Sequence, residues 1–374
     1  MKIAILGTRG IPARYGGFET FAERLAIGLV AHGCDVTVFC ESGEIDEPCI
    51  FHGVKLRYVP APRLGPLQTI LYDARCLWAA RNGYDVVYML GYGAAPFCLI
   101  PRLWGTKVWI NPDGLEWERA KWGLVARSYL RLMEWAALHS ADHIIADAEA
   151  IAASLTARHG KLSNCTVIPY GCDVIDTPPA AELLLSWNLI PRSYYLAVCR
   201  LEPENHVLEI LQAFQKSRST KQLIVVGNHL AKSKYVARLR EVRDTRIRMI
   251  GTVYDTSKLT CLRYHAFAYL HGHSVGGTNP SLLEAMGCGN LIIAHNNLFN
   301  RETVESCGLY FSDIVELSRA INCVEQEEDD YGQLREATRS RARNKYNWPD
   351  IIKKYIEILA IAATKSERKY SSNL

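Results

Sequence analysis

Short apolar, β-branched runs alternate with stretches of helical periodicity along almost the whole chain. This alternation constrains the fold more than any single motif. The runs Lys2–Leu6, Asp35–Cys40, Val54–Val59, Asp85–Leu90, Thr106–Ile110, His143–Ala146 and Thr166–Pro169 are apolar on both faces, as strands of a buried parallel sheet are. Helical patterns fill the gaps at Glu19–His32, Pro66–Arg81, Lys121–His139 and Ala148–His159. The rhythm breaks over Gly171–Pro191, where "GCDVIDTPPAAE" has the proline pair and polar content of a linker. It resumes with a strand in "SYYLAVCR", a helix in "ENHVLEILQAFQKS" and a strand in "QLIVVG". Tyr235–Arg243, Arg246–Ile250, Ala266–Leu270, Pro280–Met286 and Asn290–Ala294 continue it. The expected class is α/β: two doubly wound, Rossmann-like domains, 1–172 and 190–347. A helix over 348–363 follows, with Pro349 in its first turn, and the polar tail 364–374 is expected to be disordered.

Composition narrows the function classes. A length of 374 residues suits two domains, and 49% hydrophobic with 22% charged residues is the make-up of a soluble globular protein. A net charge of +4 drawn from 43 basic and 39 acidic residues is no basic stripe for nucleic acid. The 12 cysteines stand singly without a CxxC, and the apolar start is too short for a signal h-region. The longest run free of charged residues and histidine, Val86 to Pro101, carries glycines and prolines and falls short of the roughly 18–20 residues of a membrane span. A cytoplasmic protein with reduced thiols is expected.

Two loops carry the candidate chemistry. "GTRGIPARYGGFE" follows the first strand. Gly16 and Gly17 suit unusual backbone angles, Arg9 and Arg14 can bind an anion, and a helix N-terminus points at the same space. A dinucleotide fingerprint is incomplete here, since Gly7 and Gly10 are not followed by the third glycine at its spacing, although Glu41 ends the second strand. The glycines can also simply make a loop. In the second half, "LHGHSVGGTNPSLLEAMGCGN" places Gly276, Gly277, Thr278 and Asn279 before a helix with Pro280 at its first position. That arrangement is a diphosphate seat. Glu284 can accept two bonds from a ribose diol, or close a capping box with Ser281. His271 and His273 are either metal ligands or packed side chains. Arg200 ends the strand in "CRLEPENH"; it can fork onto phosphate oxygens or form a surface pair with Glu202 or Glu204.

Gly16-Gly17, Arg200 and Glu284 in "NPSLLEAMGCG" match in order and spacing the retaining GT-B glycosyltransferases of family 4. The chain resembles them from Met1 to about Ile361. "GTRGIPARYGGFETFAERLA" with "NPDGLEWERAKWG" looks like a bacterial branch similar to rhamnosyltransferases of capsule, O-antigen and cell-wall polysaccharide assembly. The resemblance implies a dTDP- or UDP-linked sugar donor held between the domains, dTDP-rhamnose above all, and a glycan or polyisoprenoid-linked acceptor. It implies that Gly16, Gly17, Arg200, Asn205, Gly276, Gly277, Thr278, Asn279 and Glu284 bind the donor, with the final helix crossing back to the first domain. The family's Arg-x4-Lys has Asn205 at its lysine, and the first acid of its E-x7-E is Gly276 here. Where relatives often place a histidine, this chain has "NPDGLEWE", so Asp113 and Glu116, with Arg14 and Tyr15, are the candidates for contacting sugar or acceptor. Asp113, Glu116 and Arg200 are the catalytic candidates.

No retaining-glycosidase carboxylate pair is visible, and the resemblance implies that the departing phosphate oxygen helps deprotonate the acceptor, with neither metal nor cofactor required. A catalytically silent nucleotide-sugar-binding subunit, a GT-B sugar-nucleotide epimerase and a nicotinamide enzyme are the other readings. A lipid-linked acceptor also implies a membrane-facing surface, on the inner face of the cell membrane. "ERAKWGLVARSYLRLMEWAALHS" is amphipathic, with Trp117, Trp122 and Trp135, and with Arg127 and Arg131 one turn apart; it reads as an interfacial helix or a core helix with a solvated face.

Overall fold

The computed structural model describes residues 1–13, 16–43, 48–62, 64–119, 122–327 and 331–371, with backbone alone at 66 and 365–371. The chain divides into two compact units: Met1–Glu118 with Trp122–Tyr170 and Trp348–Leu374, and Arg119–Lys121 with Gly171–Asn347.

The first unit is built on eight strands: β1 (Lys2–Leu6), β2 (Asp35–Ser42), β3 (Ile50–Phe51), β4 (Val54–Pro60), β5 (Val86–Leu90), β6 (Lys107–Asn111), β7 (His143–Ala146) and β8 (Cys165–Val167). They lie in the order β3-β4-β2-β1-β5-β6-β7-β8. All pairings are parallel except β3 with β4, a hairpin through His52 and Gly53 that the apolar pattern alone does not reveal. The intervening helices are α1 (Gly17–Ala31), α2 (Gln68–Ala79), α3 (Leu99–Leu103), α4 (Leu124–Ser140) and α5 (Glu149–His159).

The second unit has six parallel strands, β9 (Tyr194–Val198), β10 (Gln222–Val226), β11 (Ile247–Gly251), β12 (Ala268–His271), β13 (Ile292–His295) and β14 (Leu309–Phe311), in the order β11-β10-β9-β12-β13-β14. Its helices are α6 (Val207–Lys216), α7 (Lys234–Glu241), α8 (Thr256–Tyr264), α9 (Pro280–Gly287), α10 (Leu298–Val304), α11 (Ile314–Gln326) and α12 (Gly332–Lys345). Side chains of Ser233, Asp255, Asn297 and Asp313 cap α7, α8, α10 and α11, each accepting from an amide of the first turn. The segment expected to be a linker is packed on this unit. Leu184 and Leu189 are buried, and the Ile175 amide donates to the Gly287 carbonyl. Its apolar residues outweigh its prolines.

The last helix, α13 (Trp348–Ser371), belongs to the first unit. Trp348, Ile351, Ile352, Tyr355 and Leu359 are buried at helical spacing. Trp348 and Tyr355 join Phe21, Tyr88 and Tyr170 in an aromatic cluster, with Phe21 centred 4.6 Å from Tyr170 and the Tyr88 and Tyr355 hydroxyls 3.0 Å apart. Gly28 of α1 lets the two helices meet, because a Cβ there would lie 2.1 Å from Ile352 Cδ1. The helix continues through residues expected to be disordered, to Ser371; "TKSERKYS" holds no proline or glycine to stop it. Among the described residues no helix is long and apolar enough to cross a membrane.

Candidate functional site

In the second sheet the chain moves outward from β9 through β10 to β11, and in the opposite direction from β12 to β14. Loops leaving the carboxyl ends of such neighbouring strands diverge and open a crevice. Here those loops hold Arg200 after β9 and Gly272 to Asn279 after β12. Arg200 is exposed, with Nη2 3.8 Å from Glu202 Oε2. At that distance the pair is no hydrogen-bonded salt bridge. Asn205, expected among the donor contacts, is instead 2% exposed beneath the turn, its Nδ2 donating to the Arg200 carbonyl at 2.6 Å. It braces Arg200 and does not reach outward. The β12 loop is pressed onto this turn. A Cβ on Gly272 would stand 2.2 Å from the Asn205 carbonyl oxygen, and Ser274 donates to the Glu204 carbonyl through both its amide and its hydroxyl, each at 3.0 Å. His206 has φ +47°, shares a 2.9 Å hydrogen bond between Nδ1 and the Gly272 carbonyl, and stacks on His295 at 4.4 Å.

The glycine loop turns at Gly276, whose φ of +122° is strained for any side chain. Gly277 is half-buried and Thr278 buried in the approach to α9. Asn279 Oδ1 accepts from the Ser281 amide at 3.0 Å, and Pro280 opens the helix. The cap is therefore Asn279, and Glu284 closes no capping box. Its Oε2 lies 2.5 Å from Nη2 of Arg263, a buried arginine of α8 that also donates to Ser281 Oγ at 3.2 Å. The Glu284 carboxylate is thus held in one place while a third of its side chain stays exposed. Nothing in the sequence marks Arg263, which lies mid-helix and meets Glu284 only through packing.

His271 and His273 are packed side chains, their rings stacked at 5.9 Å. Burial pushes His271 down to about 3, helped by His295. His273 is held well below its ordinary value by burial, then by His271, Arg119 and Arg200. Both rings are neutral at pH 7. Among the described residues no group of three or more His, Cys, Asp or Glu is arranged to hold a metal.

The first sheet reverses at β1 and β5, and the loop after β1 lies at that point. Its strained positions are Gly7 (φ +87°) and Gly10 (φ +119°); a Cβ on Gly7 would meet the Leu90 carbonyl oxygen at 2.0 Å. Gly16 is extended at φ −156° and Gly17 is the first residue of α1, so neither needs the backbone freedom expected of the pair. The loop amides are also engaged: Arg9 N–H donates to Glu19 Oε1 at 3.2 Å and Ala13 N–H to Glu23 Oε2 at 2.7 Å. Two carboxylates back this loop, which disfavours a phosphate. Arg14 and Tyr15 lie outside the described residues.

Asp113 follows β6 in the left-handed region, φ +57°, with its amide donating to Asn111 Oδ1 at 2.8 Å. Glu116 Oε1 accepts from Trp122 Nε1 at 3.2 Å. The hydroxyl of Tyr92 is pushed far above its ordinary value by burial, then by Glu134, Glu116 and Asp113. Tyr170 is pushed the same way by burial, then by Asp147 and Asp113. Asp147, buried at the end of β7, is a further member of this acidic group. An acid just after a buried strand is the signal that could have found it.

Trp117 and Trp122 precede α4, and their indole N–H groups donate to acids of the same unit. Trp117 Nε1 donates to Glu134 Oε2, and Arg131 covers its ring at 4.3 Å. Glu134 is buried and takes a forked contact from Arg158 at 2.9 Å. Leu124, Val125, Leu132 and Trp135 are exposed.

Comparison with known proteins follows this division. Residues 1–173 match a domain of unknown function, DUF1972, and residues 191–345 match glycosyl transferases group 1. No curated protein matches the chain. A sucrose-phosphate synthase from Thermosynechococcus elongatus is similar in structure at TM-score 0.80 and 19% identity, over 97% of this chain and 99% of that one. Anabaena HepE in complex with UDP and glucose matches at TM-score 0.76 and 18% identity, over 96% and 99%. An α,α-trehalose 6-phosphate synthase from Burkholderia multivorans matches at 0.72 and 13%, over 98% and 99%. The chain therefore has the GT-B fold of two Rossmann-like domains, and its second unit carries a glycosyl transferases group 1 domain.

Proposed function

We propose that this protein is a retaining, metal-independent glycosyltransferase whose second unit binds a nucleoside-diphosphate sugar and whose first unit serves the acceptor. The observation that carries this reading is the β9/β12 switch point, where Arg200 and the capped N-terminus of α9 flank one glycine loop and Arg263 holds Glu284 ready for a ribose. The matching of residues 191–345 and the UDP in the HepE structure support it. Arg200, the loop amides and the helix terminus neutralise the diphosphate as the anomeric C–O bond breaks. The leaving phosphate oxygen takes the acceptor proton as the new glycosidic bond forms. Asp113 and Glu116 orient the sugar or acceptor hydroxyls. The donor is dTDP-rhamnose and the acceptor a lipid-linked polysaccharide precursor, with the exposed apolar stripe of α4 facing an anionic membrane from the cytoplasmic side.

Thermal shifts with dTDP, UDP, GDP, ADP and NAD test the donor. A diphosphate at about 100 times its dissociation constant adds roughly 2.7 kcal/mol and raises Tm by several degrees. A shift from one diphosphate that Arg200→Ala removes supports the reading; a shift from NAD alone overturns it. Gly276 in place of the family's first acid favours a second reading, a silent binding subunit. Donor turnover separates the two. Sedimentation with anionic vesicles at low salt tests the membrane face, and protein left in the supernatant removes it.

A further inference from the structure

The β9 turn carries one exposed cation, Arg200, while the lysine expected five residues on is Asn205, buried and bonded to a carbonyl. A further cation near this turn would strengthen its hold on a diphosphate beyond what Arg200, the loop amides and the helix terminus supply. Arg119 comes from "NPDGLEWERAKWG" in the first half of the chain, yet it packs with the second unit. Its side chain is 10% exposed, and Nη1 stands 4.0 Å from Oε1 of Glu204, whose side chain is 2% exposed. Among the described residues neither Glu204 oxygen accepts a hydrogen bond. A buried carboxylate in that position requires a cation beside it. At 4.0 Å the two groups attract by charge without closing a hydrogen-bonded fork. Glu204 is also the residue whose carbonyl ties down Ser274 of the glycine loop, and the next carbonyl, that of Asn205, is the one Gly272 presses against. Turn, loop and Arg119 therefore form one packed body. The charges of Arg119 and Arg200 both bear on His273 within it.

We propose that Arg119 supplies the second positive charge of the diphosphate site and that Glu204 is the positioning residue that holds it there. This rests on the diphosphate reading of the β9/β12 switch point. It assigns a role to a residue outside the Arg-x4-Lys pattern, carried by a chain segment remote in sequence.

The test is titration calorimetry with inorganic pyrophosphate, UDP and uridine on the full chain. Arg119→Gln is expected to weaken pyrophosphate and UDP by about 10–100-fold and to leave uridine within about twofold. Arg119→Lys keeps a charge on a shorter, unforked side chain, and is expected to recover part of that loss. If Arg119→Gln does not fold, the lysine variant carries the test, with a loss of several-fold confined to the two phosphorylated probes. Equal weakening of UDP and uridine, or unchanged pyrophosphate binding in a variant that folds, overturns the inference. Arg200→Ala separates the two levels. If it weakens pyrophosphate while Arg119→Gln does not, the role of Arg119 alone fails. If neither variant matters, the diphosphate reading fails with it.

Discussion

After β1 the chain turns on Gly7 and Gly10, and the amides of Arg9 and Ala13 are held by Glu19 and Glu23. After β9, at the corresponding place in a sheet of the same construction, it presents Arg200 on a turn braced by Asn205, beside a glycine loop that ends in the capped α9. The loops after β6 and β7 extend the contrast, since they carry Asp113 and Asp147. At the first switch point acids hold the loop amides, whereas at the second each of the acids Glu202, Glu204 and Glu284 faces an arginine. A glycine-rich loop before a helix is thus no anion site by itself. Whether its amides face outward depends on which side chains the following helix sends back.

The largest expected effect lies behind the acidic loop. Phe21 is 1% exposed on the helix that carries Glu19 and Glu23. Phe21→Ala is expected to cost about 3–5 kcal/mol in urea unfolding, through the lost burial and the cavity in the aromatic cluster. Next comes the charge contrast itself. Arg200→Ala should weaken UDP by about 10–100-fold in calorimetry, whereas Glu23→Gln should leave it within about twofold. Comparable effects of the two would erase the distinction between the switch points.

One buried group in each unit responds to pH with the opposite sign. Burial raises the Asp73 carboxyl of α2 from 3.8 to about 8, with Glu41 adding to it. Its folded value lies above its unfolded one, so its stabilising contribution is complete below about pH 4 and is lost as pH rises towards 8. His271 is lowered from 6.5 to about 3, so its contribution is complete above 6.5 and is lost as pH falls towards 3. Asp73→Asn should flatten the fall in Tm between pH 6.5 and 8 and leave the acid limb unchanged. An unaltered alkaline limb would show that Asp73 ionises freely in the folded chain. The smallest effect is at the cap of α9, where Asn279→Ala should cost about 1 kcal/mol in the same measurement.

Much of the architecture is legible from periodicity. β1, β10 and α9 are found within a residue of the patterns that announce them, while β9 ends two residues before Arg200 and α6 begins three residues after Glu204. The site is legible in part. Arg200, Gly276 and Glu284 stand out because strand ends, glycines and helix starts are local signals. That Asn205 is packed under its turn and that Gly16 is extended is not legible, because burial and backbone angle are not local.

What the sequence by itself determined is the alternation, and with it two doubly wound units, because buried parallel strands and amphipathic helices have distinct short-range patterns. Only the tertiary structure decided where charge sits. Arg263 meets Glu284, Arg119 meets Glu204, and Glu19 turns onto the Arg9 amide through contacts that no local period encodes. The energy of a charge depends on burial and on partners that folding alone brings near.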